Sequence, residues 1–315
     1  MKSLIYIEMK DGKPQNSSLE AISIAKKLGT GLAVVIGHQN NIMSTLISGY
    51  GVDVLQIEND VQNQDELIYV LENIVKENDV QTVMFGATQE GKDLAPRLAA
   101  RLATGCVTDV IDMDMAADTL VVTRPAFGGT VLEKMKFADG KTAVVTTRGG
   151  SFPKPEAGEA GKITCMTMEV PADVVKTTLI DKTVEITEQV NLEGADIIVA
   201  GGRGCGSEET FALVKELADL LDGVVGASRP AIEAGWISRA HQVGQSGKNV
   251  APKLYIACGI SGAMQHISGM TGSDYIVAIN KDEDAPIFDI ADIGIVGKCE
   301  DMLPLLIEAI RSKRA

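Results

Sequence analysis

Five clusters in the second half of this chain combine glycines with cationic, hydroxyl and amide side chains, a set suited to holding an anionic nucleotide. The first runs from Gly201 to Ser207 and reads Gly-Gly-Arg-Gly-Cys-Gly-Ser. Glycines let backbone approach a phosphate, a following helix start presents free N–H groups, and Arg203 adds a charged donor. Its G-x-G-x-G spacing departs from the dinucleotide fingerprint G-x-G-x-x-G, so a phosphate cradle and a merely tight turn both remain open. Ser228, Arg229 and Pro230 follow a short apolar run, which puts Arg229 either at a ligand beyond a strand's carboxyl end or on the bare surface.

Gln242, Val243, Gly244, Gln245, Ser246, Gly247 and Lys248 form a polar loop. Its amides and hydroxyl suit an uncharged heteroaromatic ring, although a simple mobile loop has the same composition. From Cys258 the chain reads Cys-Gly-Ile-Ser-Gly-Ala-Met-Gln-His, in which Ser261 and nearby N–H groups fit a second set of phosphate oxygens. His266 lies about one helical turn on. The last cluster is Asn280, Lys281 and Asp282 at the end of another strand, with Lys298 and Cys299 in the same topological position one strand later. No serine–histidine–acid triad or H-E-x-x-H motif accompanies these clusters. Gly86 to Lys92 matches G-x-x-x-x-G-K, but Asp93 stands where a P-loop needs Ser or Thr, so a structural strand–turn–helix is expected there.

Alternating strands and helices must position these groups. Residues 4–8, 31–37, 52–57 and 80–86 read as strands, and 17–28, 65–77 and 92–103 as helices, with Pro96 near a helix start where proline is tolerated. Residues 105–187 read as strands alone, at 107–112, 119–124, 130–137, 143–148, 163–170 and 177–187. Asp139 and Gly140 suggest a hairpin turn between 130–137 and 143–148. Beyond a connector at 185–195, strands at 196–200, 224–227, 254–258, 275–279 and 293–296 alternate with helices at 208–221 and 301–311. The expected fold is α/β in two domains. Residues 1–185 form an N-terminal α/β domain with a β-rich extension, and residues 186–315 form a C-terminal doubly wound parallel sheet.

Composition narrows the ligand and the setting. A net charge of −14 over 315 residues argues against nucleic acid. Five scattered cysteines without a CxxC pair, and only three histidines (His38, His241 and His266), indicate neither a zinc site nor an iron–sulfur cluster. The absence of a disulfide framework suggests a reducing compartment, and no apolar run reaches the ~18 residues of a membrane span, so a cytoplasmic protein without membrane insertion is expected.

Taken in order, segments 201–204, 225–229, 242–248, 250–255, 259–266, 276–282 and 285–288 resemble the alpha subunit of electron-transfer flavoproteins. The stretch 86–102 is the clearest match in the first half. The resemblance implies an FAD cofactor and an electron carrier rather than a classical enzyme. It also implies that Arg203, Ser228, Ser261 and Asn280 contact the pyrophosphate, ribityl chain or adenosine. Arg229 would stand beside the isoalloxazine ring, with the Ser246 hydroxyl near flavin N5, and Gln242, Val243, Gly244 and Gln245 would also contact the cofactor. Gly262, Ala263, Met264 and Gln265 would complete the contacts around Ser261. His266 would lie at the pyrimidine-side carbonyl, and Lys298 and Cys299 would contribute backbone. Arg229, and His266 if protonated, would then favour the reduced, negatively charged flavin.

As implied partners, the family offers an electron-transfer flavoprotein beta subunit, which would meet an adenine-nucleotide-hydrolase-like N-terminal domain. It offers acyl-CoA dehydrogenases or similar flavin dehydrogenases as donors, and ferredoxin or a quinone reductase as acceptors. Some members bifurcate electrons from NADH to ferredoxin and an enoyl-CoA. An NAD-dependent oxidoreductase is the rival outside the family, and a non-redox adenine-nucleotide module is a second.

Overall fold

Leu4, Tyr6, Val34, Val83 and Phe85 belong to one hydrophobic core, while Ile5, Ala33, Val35 and Met84 belong to another. This alternation along single strands means that both faces of one sheet are covered, which is why those strands read as continuous apolar runs. The structure, a computed structural model, describes residues 1–37, 41–59, 61, 63–117, 119–178, 180 and 190–314. The chain divides into two compact units, Met1–Val184 and Glu185–Ala315.

The first unit holds a seven-stranded sheet. Its spatial order is Ile163–Met166, Asp53–Ile57, Thr30–Ile36, Lys2–Tyr6, Thr82–Gly86, Ala143–Thr147 and Cys106–Val110. Every neighbouring pair is parallel. Helix Asn16–Leu28 supplies Ala21, Ile22 and Ala25 to one core, and helices Gln64–Glu77 and Gln89–Arg101 supply Leu71, Ile74, Leu94 and Leu98 to the other. One helix, Asn41–Ser48, has no counterpart in the expected elements. It buries Ser44 and Ser48 beside Ile47, and Ser44 Oγ donates to Gln56 Oε1 at 2.8 Å. Its inner face is therefore partly polar, which hides it from an apolar-periodicity reading.

The β-rich segment is not a separate extension throughout. Strands Cys106–Val110, Ala143–Thr147 and Ile163–Met166 return to the seven-stranded sheet, and only Asp112–Ala116, Thr119–Ala126 and Val131–Lys136 form a separate antiparallel sheet. The expected hairpin at Asp139 and Gly140 is accordingly not formed. These residues lie in a turn, but Ala143–Thr147 is wholly buried and pairs on both sides within the parallel sheet, between Thr82–Gly86 and the edge strand Cys106–Val110, whereas Val131–Lys136 is mostly exposed and pairs with Thr119–Ala126. Of the strand expected over 177–187, the residues described (177, 178 and 180) are not in a strand. The remainder, with connector residues 185–189 and His38, lies outside the described residues.

The P-loop look-alike is closed by its own side chains. Thr88 Oγ1 accepts from Gly91 N–H at 3.0 Å and donates to the Glu8 carboxylate, and Tyr6 donates to Glu90 Oε1 at 2.6 Å. The helix start there is capped, with two carboxylates beside it.

The second unit is a five-stranded parallel sheet in the order Val224–Ala227, Ile197–Gly201, Leu254–Cys258, Ile276–Asn280 and Ile293–Val296. In chain order this is 2-1-3-4-5, a doubly wound arrangement whose order reverses between its first and third strands. Helices Glu208–Leu220 and Cys299–Arg314 cover one face with Phe211, Val214, Leu303 and Ile307. The other face is covered largely by Val243, Val250, Ile260 and Met270, from non-helical chain.

Candidate functional site

At the reversal point two turns press together. Gly202 N–H donates to Cys258 O at 2.8 Å, and Gly204 N–H donates to Gly259 O at 2.9 Å. A Cβ on Gly204 would lie 2.5 Å from Gly259 O, so this approach requires glycine. Beside the contact opens a cavity of about 740 Å³, within the range of small-molecule sites. It draws residues from all five sequence clusters, including Arg203, Ser228, Gln242, Ser261 and Asn280.

Arg229, Val243, Gly244, Gln245, Ser246, Ala263, Gln265 and His266 also line it. Among the lining residues, Arg203, Arg229 and Lys281 face a single carboxylate, Asp282, in a chain that is otherwise strongly acidic. Arg203 and Lys281 form no ion pair among the described residues. Arg229 Nε donates to Glu233 Oε1 at 2.8 Å along the helix Arg229–Glu233. This local excess of positive charge, with close-packed glycines, fits a pyrophosphate.

Helix Glu208–Leu220 does not supply its N-terminus to the cavity. Ser207 caps it, accepting from Thr210 N–H at 3.2 Å, and Glu208 and Glu209 occupy its first turn. The anion-binding backbone expected at that helix start is replaced by the preceding turn, where Arg203 and Gly204 line the cavity. The 242–248 loop is anchored to two other segments and closed on itself. Val243 N–H donates to Ala227 O at 3.0 Å, Gln245 N–H to Gln265 O at 2.7 Å, and Lys248 N–H to Gln242 O at 2.8 Å. Gln242 Nε2 donates to Ser246 Oγ at 2.8 Å, which leaves the serine O–H to donate elsewhere.

Asn280 is largely engaged by the protein. Its Nδ2 donates to Ile260 O at 2.9 Å and its Oδ1 accepts from Asp282 N–H at 3.1 Å, bracing two strand-end loops against each other. His266 is buried, with Nε2 2.9 Å from the Tyr255 hydroxyl and Nδ1 left without a hydrogen-bond partner. Burial holds this imidazole down to about 4, against a smaller opposing effect of the Val243 backbone. It is therefore neutral near pH 7, and the protonated form entertained from the sequence is not the one this environment favours. A buried neutral imidazole on a residue lining a cationic cavity fits a polar heteroaromatic ligand.

Four expected residues lie outside the lining. Gly262 adopts φ +88° and packs so closely that a Cβ would meet Ile287 N at 2.2 Å, which makes it a turn former. Met264 is exposed. Lys298 pairs with Glu300 at 3.1 Å, and Cys299 is buried in the helix-side core with Cys205 and Cys258. Conversely, Gly204, Gly259, Ile260, Lys281, Asp282 and Pro286 line the cavity and were not singled out as contacts. Tyr255 was missed as well. A tyrosine in the middle of a buried strand needs a polar partner for its hydroxyl, and that requirement was the available clue.

A parallel sheet of order 2-1-3-4-5 with a cationic cavity at its reversal point defines a nucleotide- or flavin-binding α/β unit. Residues 191–271 match the electron transfer flavoprotein FAD-binding domain, and residues 3–173 match the electron transfer flavoprotein domain. The chain is 42% identical to electron transfer flavoprotein subunit alpha of Thermoanaerobacterium thermosaccharolyticum, over 98% of this chain and 97% of the relative. It is 41% identical to that of Megasphaera elsdenii, over 98% and 97%. It is 36% identical to the acryloyl-CoA reductase electron transfer subunit beta of Anaerotignum propionicum, over 98% and 95%. The chain belongs to the family of electron transfer flavoprotein alpha subunits, and its cofactor is FAD. Among the described residues, no helix is long and apolar enough to cross a membrane.

Proposed function

We propose that this chain is the FAD-carrying subunit of a two-chain electron carrier, paired with an electron-transfer flavoprotein beta subunit through residues 1–185, and that residues 186–315 hold the flavin. The observation that carries this reading is the cationic cavity at the strand reversal, with Ser246 and His266 offering polar atoms beside Arg203 and Arg229. FAD supplies the electron-accepting and electron-donating ring when bound. The residues divide the remaining work. Arg203, Gly204 and Ser261 take the pyrophosphate, Ser228 the ribityl or adenosine hydroxyls, and Asn280 holds the loops apart from its own contact. The Ser246 O–H, oriented by Gln242, serves a ring nitrogen, and neutral His266 serves a ring carbonyl.

The donor in this reading is an acyl-CoA dehydrogenase or similar flavin enzyme. A second reading, delivery of electrons toward an enoyl-CoA with ferredoxin as co-acceptor, is favoured by the relative named as an electron transfer subunit of acryloyl-CoA reductase. The test is purification of the chain with its beta subunit. Stoichiometric FAD released on denaturation, reduced by NADH or by a reduced acyl-CoA dehydrogenase, is the expected result. A colourless protein retaining AMP or NAD would sink it. Ferredoxin reduction that requires both NADH and an enoyl-CoA separates the second reading from the first.

Arg229 provides the charge beside the reacting ring in this scheme. Arg229→Ala is expected to lower the flavin potential by roughly 60 mV for a one-electron step, equivalent to ~1.4 kcal/mol. Glu233, four residues on, already offsets part of the charge, which keeps the effect modest. Potentiometric titration of the two proteins checks it, and coincident curves would remove Arg229 from this role.

A further inference from the structure

Strand Leu254–Cys258 alternates its side chains between two cores. Ile256 and Cys258 belong to the helix-side core, while Tyr255 and Ala257 belong to the core beneath the loops. Tyr255 is thus a fully buried phenol on the face where the short helix Met264–Ile267 brings His266 down. The two rings meet edge to face, 6.3 Å between centroids, and the hydroxyl lies 2.9 Å from Nε2. Among the described residues the Tyr255 hydroxyl has no other hydrogen-bond partner.

We infer that Tyr255 is a positioning residue, its hydroxyl donating to Nε2 of His266 and so fixing the imidazole of this cavity-lining residue as the neutral Nδ1–H tautomer. The inference rests on the reading of His266 as a flavin neighbour for its use, but its chemistry stands on this pair alone. A buried hydroxyl must place its proton on an acceptor, and Nε2 is the acceptor within reach. Were Nε2 to carry the proton instead, the phenol would accept it and its own O–H would be left buried without an acceptor. The neutral form also keeps a further charge off a lining that already carries the exposed cations Arg203, Arg229 and Lys281.

The tautomer is directly measurable. Two-bond hydrogen–nitrogen correlation spectra of the full chain, ¹⁵N-labelled in histidine, are recorded near pH 7 with and without FAD, and His266 is assigned from the spectrum of a His266→Gln variant. The expected result is a proton-bearing Nδ1 and a bare Nε2 in both forms. In Tyr255→Phe the two nitrogen shifts are expected to move toward each other as the tautomers mix, and the FAD dissociation constant to rise about tenfold. A wild-type spectrum with the proton on Nε2 overturns the inference whether or not the variant folds, and so does an unchanged tautomer in folded Tyr255→Phe. A correct tautomer in a protein that binds no FAD would instead defeat the flavin reading and leave the tyrosine's role intact.

Discussion

Gly204→Ala is expected to weaken FAD binding about 100-fold while leaving the secondary structure intact. The added Cβ would sit 2.5 Å from Gly259 O and 2.9 Å from Gly259 Cα, both backbone atoms that cannot rotate away. The two turns must then separate. Separation breaks the bond from Gly204 N–H to Gly259 O and loosens the neighbouring bond from Gly202 N–H to Cys258 O. Each such bond contributes ~1 kcal/mol, and the strain that remains adds ~1 kcal/mol or more, giving roughly 3 kcal/mol at the site. Because Gly204 itself lines the cavity, the loss falls on ligand affinity as well as on folding. Gly105 is the matched control, since a Cβ there meets nothing within 4 Å. Calorimetric titration of FAD into both variants is the measurement. Equal affinities for Gly204→Ala and wild type would show that the contact between the turns does not shape the site.

The second large effect lies in the first unit and depends on pH. Glu20 is 4% exposed, on helix Asn16–Leu28, and its two oxygens accept from Gly150 N–H at 3.1 and 2.9 Å. Burial dominates over those bonds and raises its carboxyl from 4.5 to about 7. A carboxyl that holds its proton more tightly in the folded state stabilises fully below pH 4.5 and loses that contribution as pH rises through about 7. At ~1.4 kcal/mol per pH unit, the integrated loss is on the order of 3 kcal/mol by pH 8.

Glu20→Gln keeps an acceptor oxygen and removes the titration. The variant is therefore expected to gain stability on the wild type steadily between pH 4.5 and 8, by up to about 3 kcal/mol. His266 has the opposite sign. Its depressed value means that stability present above pH 6.5 is lost as pH falls toward about 4. The wild-type curve by itself therefore mixes opposing trends, and the difference between Glu20→Gln and wild type in urea midpoints is the informative quantity. Parallel curves for the two proteins across this range would refute the assignment.

The two effects share a cause: each arises where backbone from distant parts of the sequence closes on a single residue. Gly204 meets a turn more than fifty residues away in the chain, and Glu20 meets Gly150, which is 130 residues away. Neither partner follows from a local pattern.

What the sequence by itself determined is the alternation of strands and helices, the glycine, amide and hydroxyl clusters at strand ends, and the family that these clusters resemble. The strands 224–227, 254–258 and 293–296 were legible to the residue because short β-branched and aliphatic runs bounded by glycine have few other uses. Of the site residues, Arg203, Ser228, Arg229, Gln242, Ser246, Ser261 and His266 were legible as candidates because chain order places them in segments that follow strands 197–201, 224–227 and 254–258, and the structure brings them to one cavity.

Tertiary structure alone decided the rest. Strand order was one such decision, sending Ala143–Thr147 between two strands of the parallel sheet rather than into a hairpin, because only a position covered on both faces buries five consecutive residues. The removal of Met264, Lys298 and Cys299 from the lining was another, since a strand-end position in sequence does not say which way a side chain turns. The protonation of His266 was the third. It depends on burial, against a smaller effect of the Val243 backbone, and both exist only once the sheet face and the loop above it have closed on each other.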